Sequence, residues 1–408
     1  MSHSEQPMDY PCIVPYDART RAEWIEWTVP REEYETRIAR TRDEMRRTGL
    51  DGLLVTGSTG DPGGIAYLTN YTPRFGNTWL LLPLEGEPVA LTDAMLHGEP
   101  MHSMLWNVWL DDLRPASARP GSPPGTLSEL CAGAIRELRL DRGRVGVYSP
   151  ATLSMAHGAA LRAALPGVDW ADGTLAALRP RAIKSANEIA YMRRACEITA
   201  LGLEAAEAAS RPGASEREIA NAAHAAMFEA GCEELGFDTA VSSGPRAGLK
   251  HAAPTARRVQ DGELLFLDMG AVVAGYHADM SRCVVAGTAG PAAQVMLNAA
   301  AAIFEETLAA VRPGNSVRDI YRAAEQAAQR EGMADDYMPN GLGHGLGLSL
   351  WELPFLSPND ETVLEPGMIF ALEPMLVRYG AGTAVVEETV LVTASGGEPL
   401  SGRSANRR

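Results

Sequence analysis

Five side chains in the second half of this 408-residue chain have types and spacings suited to holding metal ions. Asp268 closes the apolar run GELLFLD (262–268), and Glu373 closes GMIFALE (367–373). A carboxylate at the end of a buried strand is costly unless something pairs with it. A second carboxylate follows each. Asp279 comes 11 residues after Asp268, across AVVAGYH, and Glu387 comes 14 residues after Glu373, across VRYGAG. Both spacings fit a hairpin whose return strand lies beside the first. His344, within GLGHGLG, adds one imidazole where glycines let the backbone approach closely. Four carboxylates and an imidazole form a hard, oxygen-rich set that suits Mn or Fe, with Co and Zn also compatible, better than a single structural zinc. Four negative charges are too many for one divalent ion. Two ions bridged by carboxylates and a hydroxide balance better, which is the two-metal hydrolytic arrangement.

What must position these groups is a duplication. Residues 211–231 read RPGASEREIANAAHAAMFEAG and residues 312–332 read RPGNSVRDIYRAAEQAAQREG, identical at 10 of 21 positions at an offset of 101. Each copy has a helix-start signal at capping-box spacing, Ser215 with Glu218 and Ser316 with Asp319. Downstream, GELLFLD falls on GMIFALE at an offset of 105, so the two halves have nearly equal length and Asp268 falls on Glu373. Halves packed about a pseudo-twofold axis bring those two carboxylates together, and a cation between them satisfies both.

The first half of the chain has another texture. Residues 31–47 read as a helix with Tyr34, Ile38 and Met45 on one face, ended by Gly49. Short apolar runs follow at Leu50–Val55, Ile65–Leu68, Trp79–Leu82 and Val89–Leu91, then a helix over 127–141, a strand over Val145–Tyr148 and a helix over 152–165. Strands alternating with helices predict an α/β domain. From Ala186 a long Ala-rich helix runs to residue 209. The expected division is an N-terminal arm (1–30), an α/β domain (31–178), a catalytic domain with the internal repeat (179–400) and a tail (401–408).

Composition narrows the function. Apolar residues make up 46% and charged residues 22%, enough to build real cores. The net charge of −16 argues against a phosphate-tracking surface, so no nucleic-acid partner is expected. Of 36 cationic residues only Lys184 and Lys250 are lysines. The five cysteines are odd in number and form no C-x-x-C pair, which argues against a disulfide framework and fits a reducing, cytoplasmic setting. Neither a signal peptide nor a membrane span is expected.

The ordered motifs resemble the pita-bread metallohydrolase family of methionine aminopeptidase, Xaa-Pro aminopeptidase, prolidase and creatinase. The matching segments are SSGPRAGLKHAAPT (242–255), LFLDMGAVVAGYHADMSR (265–282), GLGHGLGLSLWELP (341–354), EPGMIFALEPM (365–375) and VVEETVLVT (385–393). The hinge RAIKSANEIAYMRRA (181–195) is similar to the junction of two-domain members. The resemblance implies an α/β (α+β) chain: a creatinase-like N-terminal α/β domain followed by a pita-bread catalytic domain with a pseudo-twofold repeat. It implies that Asp268, Asp279, His344, Glu373 and Glu387 bind two divalent ions. It also implies that His251 contacts substrate and that Glu373 acts as acid and base. The implied activity is hydrolysis of C–N bonds in a small peptide or amino-acid-derived substrate, as an Xaa-Pro aminopeptidase or dipeptidase, by a homodimer.

Two departures qualify that reading. Peptidases of the family carry a second histidine seven residues after the ligand histidine, where this chain has Trp351, and Xaa-Pro enzymes often carry an Arg where it has Val385. An indole N–H donates but cannot carry charge. The alternative is a non-peptidase member that retains its metals and acts on a small specialised metabolite, as a modified amino-acid amide hydrolase or a lyase. Trp351 would then pack on the ligand, with Trp79, Trp106 and Trp109 adding apolar lining. Arg74, beside the Phe75-Gly76-Asn77 that replaces a creatinase F-G-R, is a further candidate for substrate contact. An inactive binding module is the remaining alternative, against which stand all five ligand types. Creatinase chemistry without metal is not favoured, because Asp268 and Asp279 are kept.

Overall fold

The computed structural model describes residues 25–74, 76–93, 107–116, 125–150 and 152–402. Trp106, and most of the expected arm and tail, lie outside the described residues. The chain divides into two compact units, 1–180 and 181–408.

In the first unit, α1 (Arg31–Thr48) buries Tyr34, Ile38 and Met45 and stops at Gly49, whose φ of +67° is the left-handed cap glycine adopts at little cost. The elements that follow are β1 (Gly52–Ser58), α2 (Gly63–Thr69), β2 (Asn77–Pro83), β3 (Val89–Thr92), β4 (Leu113–Pro115), α3 (Gly125–Glu137), β5 (Arg144–Val147), α4 (Met155–Ala164), β6 (Asp169–Asp172) and α5 (Thr174–Ala182), whose last two residues belong to the second unit. The strands form one mixed sheet in the order β4-β3-β2-β1-β5-β6. Leu54, Trp79, Leu81 and Leu91 of the sheet share a core with Leu127, Cys131 and Ile135 of α3 and Leu161 of α4. Ile65–Leu68, which reads as one more strand-like run, is helical: all seven residues of α2 are buried, so no polar face marks a helical period. Trp79 is a core residue with its ring edge-on to His157, and the Trp109 indole donates to Leu68 O at 3.0 Å. Both are occupied in packing rather than in lining a ligand site.

The second unit contains the duplication. Its first half runs α6 (Ala186–Ala209), α7 (Glu216–Glu229), β7 (Glu234–Leu235), β8 (Ala240–Ser243), β9 (Leu264–Met269), β10 (Ala271–Val273), β11 (Tyr276–His277) and β12 (Met280–Val285). Its second half runs α8 (Pro291–Ala309), α9 (Val317–Arg330), β13 (Gly343–Gly345), β14 (Glu352–Phe355), β15 (Ile369–Leu372), β16 (Met375–Arg378), β17 (Gly382–Val385), β18 (Glu388–Thr393) and β19 (Gly396–Pro399). Ser215 and Ser316 each cap their helix in a full capping box, with Glu218 and Asp319.

The antiparallel trio β8-β9-β12 corresponds to β13-β15-β18. The same long-range hydrogen bonds recur in both halves. Gly213 N donates to Val259 O and Gly314 N to Leu364 O; Glu216 N donates to Arg257 O and Val317 N to Thr362 O. These pairs keep the offsets of 101 and 105 seen in the sequence. The halves join where their third strands begin: Glu387 N donates to Ser281 O, and Asp279 N donates to Thr389 Oγ1. Among the described residues no helix is long and apolar enough to cross a membrane, and Cys131, Cys196, Cys232 and Cys283 are unpaired.

Candidate metal centre

Each half presents one carboxylate from the end of its middle strand and one from the start of its third. In the first half Asp268 lies on β9 opposite Ser281 of β12, just past Asp279. In the second, Glu373 follows β15, and Glu387 precedes β18, whose Glu388 pairs with Leu372. The hairpins therefore place each pair side by side, as the spacing predicts. Asp268, Asp279 and Glu387 are buried, and each offers an oxygen within 4.8 Å of the other two. His344 Nε2 is 3.5 Å from Asp279 Oδ2. The Glu373 side chain is 17% exposed and faces Lys250, its Oε2 lying 3.8 Å from Nζ.

Grouping these carboxyls costs electrostatic energy, which shifts their pKa values. Burial, then the charges of Asp279 and Glu373, drive Asp268 well above the usual carboxylate range. Burial and the same neighbours do so for Glu387. Burial raises Glu373 to about 7, with Lys250 opposing the shift and Asp279 adding to it. Burial disfavours the charged form of His344, but the hydrogen bond and charge of Asp279 outweigh it and raise that imidazole. Among the described residues Asp268 Oδ1, which is buried, has no hydrogen-bond partner. An orphaned carboxylate oxygen among other carboxylates is what a cation would satisfy. The residues present therefore fit divalent ions.

The imidazole is prepared for the same purpose. His344 Nδ1 donates to Gly345 O at 3.1 Å, which orients the ring with Nε2 toward Asp279. The glycines around it are steric necessities, because a Cβ at Gly343 would collide with Ala371 O and one at Gly345 with Leu353 O. Trp351, 62% exposed, donates its indole N–H to His344 Nε2 at 3.2 Å. The indole thus meets the same ring nitrogen that faces Asp279. Val385 is buried on β17.

The other expected contacts stand apart. His251 is exposed, with φ +58°, and among the described residues no hydrogen bond or ion pair joins it to the five. Arg74 is exposed in the first unit.

Three residues to which the sequence assigns no role shape the surroundings. Glu216, at the start of α7, is fully buried. Its carboxylate accepts from Ser243 N and Oγ, from Thr255 N and Oγ1, and from Arg246. It therefore grips both ends of the segment that carries Lys250 and His251. These hydrogen bonds outweigh burial and hold its pKa below the ordinary value. Glu352, next to Trp351, is clamped by Arg181 at 2.5 Å and Lys184 at 3.3 Å, all three buried. Its Oε1 also accepts from Ser349 N, which fixes the turn bearing Trp351. Lys250 is the third. A faint signal existed for two of them: Glu216 stands where the other repeat has Val317, and Lys250 is one of the chain's two lysines.

Comparison with known proteins matches this architecture. Residues 190–394 match the model of metallopeptidase family M24, and residues 37–183 match the creatinase/prolidase N-terminal domain. The Xaa-Pro dipeptidase of Pyrococcus furiosus is 32% identical over 221 residues, which are 54% of this chain and 63% of that protein. The match thus spans less than two thirds of that relative. The crystal structure of the Pyrococcus horikoshii prolidase superposes with a TM-score of 0.78 at 23% identity, over 90% of this chain and 98% of that one. The Bacillus anthracis Xaa-Pro dipeptidase gives 0.79 at 23% identity, over 91% and 98%. At that identity the structural likeness speaks for the fold.

Proposed function

The chain belongs to metallopeptidase family M24, and we propose that it is a metal-dependent peptidase cleaving Xaa-Pro dipeptides. Asp268, Asp279, His344, Glu373 and Glu387 are the residues that would hold two divalent ions, Mn or Fe by the hardness of the donor set. The observation that carries the reading is the buried cluster of Asp268, Asp279 and Glu387, with one Asp268 oxygen that has no partner among the described residues. When bound, such ions lower the pKa of water and polarise a carbonyl.

The chain's own groups supply the rest. Glu373, raised to about 7, is poised to accept and return a proton near neutral pH, which is what a leaving proline nitrogen needs. The hydrogen bond from His344 Nδ1 to Gly345 O holds the ring in place. His251 would orient the substrate; the segment that carries it is anchored by Glu216. The homodimer follows the family resemblance and is read by sedimentation equilibrium.

A panel of Xaa-Pro dipeptides assayed with Mn tests the proposal. Cleavage is expected, with Glu373→Gln slower by at least about a hundredfold. A metal-replete protein that cleaves no Xaa-Pro dipeptide overturns it. One observation favours a second reading, a metal-retaining hydrolase or lyase of a small specialised metabolite: an indole stands seven residues after His344, where peptidases carry a histidine. That outcome of the panel would select it.

A further inference from the structure

Lysine is nearly absent from this chain, 2 of 36 cationic residues, so where it occurs is informative. Lys184 is buried against Glu352. Among the described residues Lys250 is the only ammonium at the candidate centre, and its own interactions are incomplete. Its ion partner is Glu373, at 3.8 Å, beyond hydrogen-bond length. Among the described residues no group accepts a hydrogen bond from Nζ within 3.5 Å, although an ammonium offers three donors. The side chain is 22% exposed, so a ligand can reach it. Its seat is shaped by Gly341, where a Cβ would lie 2.9 Å from Nζ. Exposed apolar groups stand in the same two segments, Leu249 beside it and Trp351 next to the Glu352 clamp. Val385, buried on β17, offers no charge of its own.

A partly accessible cation with free donors beside a reaction centre recognises an anion, and the anion every dipeptide carries is its terminal carboxylate. Resting on the peptidase reading, we infer that Lys250 is a specificity residue whose ammonium takes the free carboxylate of the substrate. It thereby selects dipeptides over longer or C-terminally blocked peptides. The Glu216 network holds the two ends of the lysine's segment, which limits where the ammonium can sit. Arginine at this point would keep the charge but change its reach and shape.

The experiment compares glycyl-proline with glycyl-prolinamide as substrates of the Mn-supplemented protein. In parallel, L-proline and L-prolinamide are titrated calorimetrically, which needs no turnover. The wild type is expected to prefer both acids over their amides. Lys250→Met should raise KM for glycyl-proline about 10–100-fold and bring the acid-to-amide ratio near one. Lys250→Arg should keep part of the preference. If Lys250 only neutralises Glu373, Lys250→Met slows acid and amide substrates equally and leaves the acid preference intact. That result, or a wild type with no preference for the acids, overturns the inference. Absence of turnover, with a proline preference that Lys250→Met abolishes, would remove the peptidase reading and leave the carboxylate anchor standing.

Discussion

Glu216 and Val317 occupy the same place in the two halves of the second unit, the first residue of α7 and of α9, and do opposite things. Their backbone N–H groups make equivalent bonds, to Arg257 O and Thr362 O. The glutamate then collects five hydrogen bonds and fixes a polar segment leading to Lys250 and His251. The valine enters a core with Ile320, Leu364 and Phe370. The second half fixes its own chemical segment elsewhere, through Glu352 held by Arg181 and Lys184 beside Trp351. Duplication has thus kept the frame and the carboxylate positions. The segments beside them differ, and each half has its own buried glutamate to hold its segment.

That comparison can be broken by mutation. Glu352→Gln should have the largest effect, because it leaves two buried cations without their counter-charge. A loss of about 3–5 kcal/mol in urea unfolding is expected, and a loss under 1 kcal/mol would show that the clamp is dispensable. Glu216→Ala should follow, at roughly 2–4 kcal/mol near neutral pH. Its pH dependence has a definite sign. The folded-state pKa lies below the ordinary 4.5, so between the two values the unfolded chain binds more protons. The stabilisation is complete above that ordinary value and fades as pH falls through the folded one. The gap between variant and wild type should therefore narrow on acidification, and a gap independent of pH would contradict the charged clamp.

Val317→Ala should cost less, about 1–2 kcal/mol, with no such pH dependence. A Val317 effect equal to that of Glu216 in size and pH response would erase the contrast between the halves. Trp351→Phe should have the smallest effect on stability, within about 0.5 kcal/mol, since the ring is largely exposed. It should nonetheless abolish a change in tryptophan fluorescence on adding Mn, because the indole bonds the His344 Nε2 that the proposed ion would take. A fluorescence response that survives the substitution would place the competition elsewhere.

Much of this molecule is legible in its sequence, for identifiable reasons. The R-P-G-x-S starts and capping boxes are local signals, and both helices begin where those signals place them. The return spacing of 11 and 14 residues foretold carboxylates side by side, because antiparallel pairing turns sequence spacing into adjacency. Helix α2 was hidden because every residue in it is buried. The glutamate clamps were hidden because their partners are remote. Glu216 bonds across 27 to 39 residues, and Glu352 across 168 to 171 to its cations. No local pattern encodes such pairs, although the Glu216/Val317 mismatch between repeats pointed to one of them.

The account depends on the raised carboxyls of the centre being there to receive cations. Calorimetric titration of Mn into the metal-free protein at pH 7, in two buffers of different ionisation enthalpy, tests this most directly. Two ions per chain are expected, with net release of protons, because burial and the charges of Asp279 and Glu373 raise Asp268 and Glu387 well above the usual carboxylate range, and a bound cation favours their charged forms. Asp268→Asn should lose at least one of the two. A wild-type protein that takes up no ion, or an Asp268→Asn variant that binds as many with the same proton release, would contradict the account.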